Sequence, residues 1–224
     1  MAITSSGLSV CGVLDASINE VLKVWVKQGQ RGVCGIIGQG TSRTLTAKWD
    51  SPLEQTNVGS QSSVSTVADG GQALKGKTTV TTFSSTQIWQ GNMPLKFSLS
   101  LVLFAQSDAV SEVMRPLQWL EEFASGNVNG TVPINPKAAV GLANGDAFGR
   151  IPDTVTLNLG RKIIVPNCVI ENISIPLDKE KDGNGNLIRC TVQLDIQTKT
   201  MLGNQAGDSN IGNTWKADEG ESWL

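Results

Sequence analysis

Three stretches of the chain alternate apolar and polar residues with a period of two, and this alternation narrows the fold more than any other feature. In LKFSLSLVLFA (95–105), Phe97, Leu99, Leu101 and Leu103 share one face. Ser98 and Ser100 point to the other face, which turns apolar at Val102 and Phe104. In TVTLNLG (154–160), Val155, Leu157 and Leu159 point inward. In LIRCTVQLDIQT (187–198), Val192, Leu194 and Ile196 alternate with Gln193, Asp195 and Gln197. A two-residue repeat is that of a strand whose successive side chains point to opposite faces, so these read as antiparallel strands with one wet face. With 24 glycines and only 17% charged residues, the composition suits β-structure with many turns. A length of 224 residues is enough for one large domain or two small ones.

Other segments are placed by the same rules. VLKVWV (21–26) is β-branched and aromatic and reads as a strand, with a helix over 15–25 as the alternative. WDSPLE (49–54) holds Pro52, which excludes a central strand position. Residues 55–77 are rich in Ser, Gly, Gln and Asn and read as a mobile loop. GNMP (91–94) reads as a turn, which makes 79–105 a long β-hairpin. Residues 107–124 switch to helical spacing, with Val110, Val113, Met114, Leu117 and Leu120 in one stripe. Ser107 or Asp108 caps the start, and Gly126 ends the helix. Pro116 predicts a kink, or two short helices with the proline in the first turn of the second. Residues 126–153 read as a long loop with room for a short helix at 136–143. The tail, 203–224, is polar but carries Trp215, Trp223 and Leu224, so it reads as a docking arm on a domain spanning 1–202.

The stretch DKEKDGNGN (178–186) admits two readings, a calcium loop or a tight turn. A calcium loop starting at Asp178 would need its bidentate carboxylate at the twelfth position, which is Arg189. A turn centred between Gly183 and Asn184 pairs Ile175 with Val192, Ile173 with Leu194 and Glu171 with Ile196. The turn is the expected form.

Catalytic signals are sparse. The chain has no histidine, which removes imidazole acid–base catalysis, Ser-His-Asp and Cys-His arrangements, and imidazole metal ligands. Cys11, Cys34, Cys168 and Cys190 show no C-x-x-C spacing and are expected to be reduced and packed. Glu121 and Glu122 diverge on the helix, and Asp108 with Glu112 reads as a cap and a surface carboxylate. GIIGQG (35–40) lacks the order of a dinucleotide or phosphate loop. The net charge of -2 offers no basic patch for nucleic acid. The N-terminus does not read as a signal peptide, and no run is long and apolar enough for a spanning helix. Trp25, Trp49, Trp89 and Trp119 read as core residues or, on a β-sandwich, as platforms for a sugar. Neither an enzyme nor a cofactor is expected.

Three segments together resemble a known family: QIWQGNMPLKFSLSLVLFAQSDAVSEVMRPLQWLEEFAS (87–125), PDTVTLNLGRKIIVPNCVIENISIPL (152–177) and the return strand 187–198. Their order is similar to that of tube-initiator and hub-proximal baseplate proteins of contractile phage tails. It is also similar to the tube-like N-terminal domain of phage baseplate proteins that carry LysM repeats, although residues 200–224 hold no such repeat. The resemblance covers about half the chain. It implies a mainly-β, tail-tube-type fold: an antiparallel sandwich or partial barrel with one flanking helix, long loops and a C-terminal arm. It further implies a structural virion protein, made in the host cytoplasm, whose copies form a ring, usually six-fold, around a lumen through which DNA passes. Neighbouring tail-tube and baseplate hub proteins would be its partners, with no membrane insertion. Trp49, Pro52, Trp89, Trp215, Trp223 and Leu224 are the candidate inter-subunit contacts. The competing expectation is a β-sandwich carbohydrate-binding module that uses exposed tryptophans.

Overall fold

The computed structural model describes residues 2–3, 7–50, 87–125, 152–204 and 210–216. The expected loop at 55–77, the short helix at 136–143, Gly126, Pro52, Trp223 and Leu224 lie outside these residues. The chain divides into two compact units, one of residues 1–44 with 94–224, the other of residues 45–93. Among the described residues the fold is mainly β with one α-helix, and the strands follow the alternation.

The larger unit begins with β1 (Ala2–Ile3), β2 (Ser9–Gly12), β3 (Lys23–Gln28), β4 (Arg31–Ile37) and β5 (Ser42–Thr44). A 3₁₀ turn at Glu20–Leu22, capped by the Asn19 side chain, leads into β3, so the strand read at 21–26 starts two residues later. In the smaller unit, β6 (Ala47–Asp50) pairs antiparallel with β7 (Ile88–Asn92). The larger unit resumes with β8 (Lys96–Phe104), helix α1 (Arg115–Ala124), β9 (Val155–Leu159), β10 (Ile163–Ser174) and β11 (Arg189–Thr198).

Nine of the described strands form one sheet in the order β1-β2-β4-β3-β9-β10-β11-β8-β5. A second pairing of β4 with β8, Ile36 to Val102 and Ile37 to Leu101, closes β4, β3, β9, β10, β11 and β8 into a barrel. Of the two expected arrangements, sandwich or barrel, the barrel forms. Closure removes the unpaired edges that an open sheet would present to solvent. It needs β4 and β8 to approach closely, and Gly35 permits this: a Cβ there would lie 2.6 Å from Leu101 Cδ1.

The inward residues are those that the alternation selects. Phe97, Leu99, Leu101, Leu103, Val155, Leu157, Leu159, Val192, Leu194 and Ile196 are all buried in one cluster. Helix α1 adds Leu117, Leu120 and Phe123 to that cluster. Pro116 sits in the first turn of α1, after a wide π turn at Val110–Met114. The proline has no N–H to return to Glu112, so the regular helix starts at the proline turn instead of running through it. A second, smaller cluster lies on the other face of β3 and β4. There Leu8 and Val10, from β2 and the residue before it, pack with Trp25 and Cys34.

One expectation is corrected. Residues 79–105 are not one hairpin: β7 pairs with β6, while β8 pairs with β11, β5 and β4. Gly91 has φ +129, but it lies inside β7 and does not turn the chain back onto β8. Ile163–Ser174 form the single strand β10, whose pairing with β9 shifts between Val165 and Cys168. Pro166 is exposed at that irregularity, where a missing N–H costs the ladder little.

Candidate functional site

The DKEKDGNGN stretch forms a turn. Lys181 bridges to Leu187, and Gly185 at φ +85 donates to the Asp182 carbonyl at 3.0 Å. The Asp182 carboxylate accepts from the Asn184 amide (2.9 Å), the Asn186 amide (2.7 Å) and the Asn186 side chain (2.8 Å). These bonds, led by that from the Asn186 side chain, hold its pKa below the ordinary value. The loop therefore engages its own carboxylate. The expected pair Ile173–Leu194 is present, but Glu171 bulges out, and Ile170, not Glu171, faces Ile196. The bulge puts an isoleucine against the core and leaves Glu171 at the surface, 3.3 Å from Lys96.

The wet face of β8, β10 and β11 is polar and internally paired. Ser98 donates to Asp195 at 2.9 Å, Asn172 to Asp195 at 3.4 Å, and Gln193 to Ser100 at 3.2 Å. Surface pairs of this kind add little stability.

The other candidates for chemistry resolve into structural roles. Glu122 pairs with Arg31, whose guanidinium also lies over the rings of Trp119 and Phe123 at 5.6 and 5.4 Å. Asp108 caps the helical segment through the amides of Val110 (3.0 Å) and Ser111 (3.2 Å). Burial pulls Glu112 upward, but bonds from Gln106 and Ser107 outweigh it and hold this carboxylate below its ordinary pKa. Gly35 lies within β4, and Gly38–Gly40 lead to β5 and not to a helix, so no helix N-terminus stands there to receive a phosphate. Among the described residues, no group of three or more acidic, Cys or His side chains could hold a metal. No described helix is long and apolar enough to cross a membrane.

All four cysteines are buried and free. Burial pushes the thiols of Cys11, Cys34 and Cys168 up to about 12, and that of Cys190 upward. A thiol held neutral is a poor nucleophile. Iodoacetamide at pH 8 is therefore expected to leave the native chain unlabelled over a time in which the urea-unfolded chain takes up four labels. Mass spectrometry reads the difference, and rapid native labelling at any one cysteine contradicts the packing.

The tryptophans separate into two groups. Trp25 and Trp119 are core residues, 3% and 8% exposed. Trp49 and Trp89 face each other across the β6–β7 ribbon and are 58% and 52% exposed. Ile88, on the same ribbon, is 50% exposed. Directly opposed residues on a ribbon share a face, so the two indoles form one apolar surface.

Trp215 lies on a strap that returns to the barrel. A 3₁₀ turn at Ile211–Thr214 precedes it, Trp215 bridges to Ile163, and the Lys216 amide donates to the Lys162 carbonyl at 2.7 Å. The guanidinium of Arg43, on β5, stacks 4.5 Å from the Trp215 ring and 5.7 Å from that of Phe97. Its Nη2 donates to Thr214 Oγ1 at 2.7 Å, while its Nη1 is buried without an acceptor. Burial lowers its pKa. A pocket of about 310 Å³ opens beside it, lined chiefly by Val21, Ile37, Phe97, Leu159, Ile163 and Trp215. A larger groove of about 820 Å³, lined largely by threonines and asparagines with Lys27 and Lys216, runs between β10 and the strap. No aromatic residue lines that groove among the described residues. The alternation of the strands gave no sign of either cavity. The one signal for the strap was a tryptophan in a polar tail.

Compared with known proteins, the sequence matches no family model, and no curated protein matches it.

Proposed function

We propose that the chain is a structural ring subunit of a contractile phage tail, placed in the baseplate or where the tail tube starts, and that it works by assembly and not by catalysis. The observation that carries this reading is the β6–β7 ribbon with Trp49 and Trp89 on one exposed face. Among the described residues no third strand joins this ribbon; a two-stranded ribbon is marginal in water, and an exposed pair of indoles gains most by burial against another protein. The reading is also supported by the segments of the sequence resemblance, because β8, α1, β9, β10 and β11 all belong to the closed-barrel unit. The polar face of β8, β10 and β11, on which Lys96 pairs with Glu171, suits a wall past which DNA slides without being held. In this reading the partners are further copies in a ring of about six, with tube and hub proteins above and below. The protein then resides in the virion.

The test is negative-stain microscopy with mass determination, on the chain alone and after mixing with tail or baseplate fractions. Annular particles, or incorporation into tails, are the expected result. Trp49→Glu together with Trp89→Glu is expected to lower incorporation at least about tenfold with little change in melting temperature, because both side chains are more than half exposed. A chain that remains monomeric with every fraction overturns the reading. A saccharide-dependent change in tryptophan fluorescence from such a monomer would favour the carbohydrate-binding alternative, which rests on the same exposed indoles.

A further inference from the structure

We infer that the pocket beside Arg43 is an anchor site for a neighbouring polypeptide, taking one large apolar side chain while Arg43 receives the carboxylate of an adjacent Asp or Glu. At about 310 Å³ the pocket lies at the small end of the range for ligand sites, the size for one anchoring side chain with its backbone and not for a large cofactor. Its walls are apolar, from Val21, Ile37, Phe97, Leu159 and Ile163, with Trp215. Val21 and Trp215 are 57% and 58% exposed, so the apolar surface continues out of the pocket.

Arg43 and Lys162 line the pocket, and no acidic side chain does so among the described residues. Glu20, next to Val21, is already engaged by Arg161 at 2.9 Å. Arg43 is held in place by Thr214 and by the Trp215 ring, yet its Nη1 has no acceptor. A buried guanidinium N–H without a partner has lost its water and gained nothing for it, and an incoming carboxylate supplies the missing acceptor. Trp215 would serve as both lid and reporter, since it stacks on the guanidinium that the carboxylate would meet. The inference does not depend on ring formation: a chain that forms no rings could still bind such a segment, and a ring-forming chain could fail to.

The test is a ¹⁵N–¹H titration of the full chain with acetyl-Leu-Asp-amide, read at the Trp215 indole N–H, which is assigned by its loss in Trp215→Phe. A saturable shift is expected. Acetyl-Leu-Asn-amide and acetyl-Ala-Asp-amide are each expected to bind about tenfold more weakly, one lacking the carboxylate and the other the apolar anchor. Arg43→Gln is expected to bring the Leu-Asp peptide down to the level of the Leu-Asn peptide. Should Arg43→Gln fail to fold, Val21→Asp at the exposed rim tests the same charge logic and is also expected to weaken binding about tenfold. The inference is overturned by no saturable shift, by equal affinity for the Asp and Asn peptides, or by 4-methylpentanoate binding as tightly as the peptide.

Discussion

Gly12→Ala is expected to lower the stability of the chain by at least about 3 kcal/mol, which for a chain of this size is a fall of roughly 6–12 °C in melting temperature. Gly12 has φ +110, a backbone shape that side chains with a Cβ rarely adopt. A Cβ there would lie 1.9 Å from the Cys34 carbonyl oxygen, well inside van der Waals contact. The obstacle is backbone, and it cannot easily give way: the same oxygen accepts from the Val13 amide at 2.9 Å, and the Cys34 thiol donates to the Val13 carbonyl at 3.2 Å. Alanine would have to break the parallel pairing of β2 with β4, and with it the cover that Leu8 and Val10 give to Trp25. Gly183→Ala is the control, with no atom within 4 Å of its Cβ. Thermal unfolding followed by circular dichroism separates the two. A Gly12→Ala chain that melts with the wild type would mean that β2 does not lie against β4 as described.

Leu101→Ala is expected to cost about 2–5 kcal/mol, seen as a lower denaturation midpoint at unchanged slope. Leu101 is fully buried and paired on both sides, to Val192 on β11 and to Ile37 on β4, at the seam that closes the barrel. Gly35→Ala alone should cost about 1–3 kcal/mol by overpacking, since the new methyl would meet Leu101 Cδ1. The two changes should therefore compensate. In the Leu101→Ala background, Gly35→Ala is expected to cost about 1 kcal/mol less than in the wild type. Strict additivity would mean that Gly35 and Leu101 do not touch and that the seam lies elsewhere.

The parts of the fold governed by local rules were legible in the sequence. The inward faces of β8, β9 and β11 follow from alternation, and the change from π turn to regular helix at α1 fits the missing N–H of Pro116. The parts set by distant partners were not. Nothing in GNMP says that β7 will pair with β6 and leave β8 to pair elsewhere. The bulge at Glu171 is chosen by the gain from placing Ile170 against Ile196, which a regular register hides. The candidate surfaces divide in the same way. An exposed tryptophan and a buried one look alike in sequence, and only the fold sends Trp25 inward and Trp49 outward. The Arg43–Trp215 stack joins two segments with most of the chain between them, and neither announces the other.

The closed barrel also has a consequence in time. β3 pairs with β9, joining Val24 to Leu159, and β11, the last of the described strands in chain order, fills the gap between β8 and β10. β3 and β4 therefore pair with each other early, but leave the ribosome long before their second partners, β9 and β8, exist. The main core cannot be completed until residue 198 has been synthesised, so folding proceeds through slow, long-range closure instead of strand-by-strand growth. A nascent chain of this design carries the open flank of β8 exposed from the end of that strand at Phe104 until β11 is complete at Thr198, and its greatest exposure to misassembly comes before it is finished.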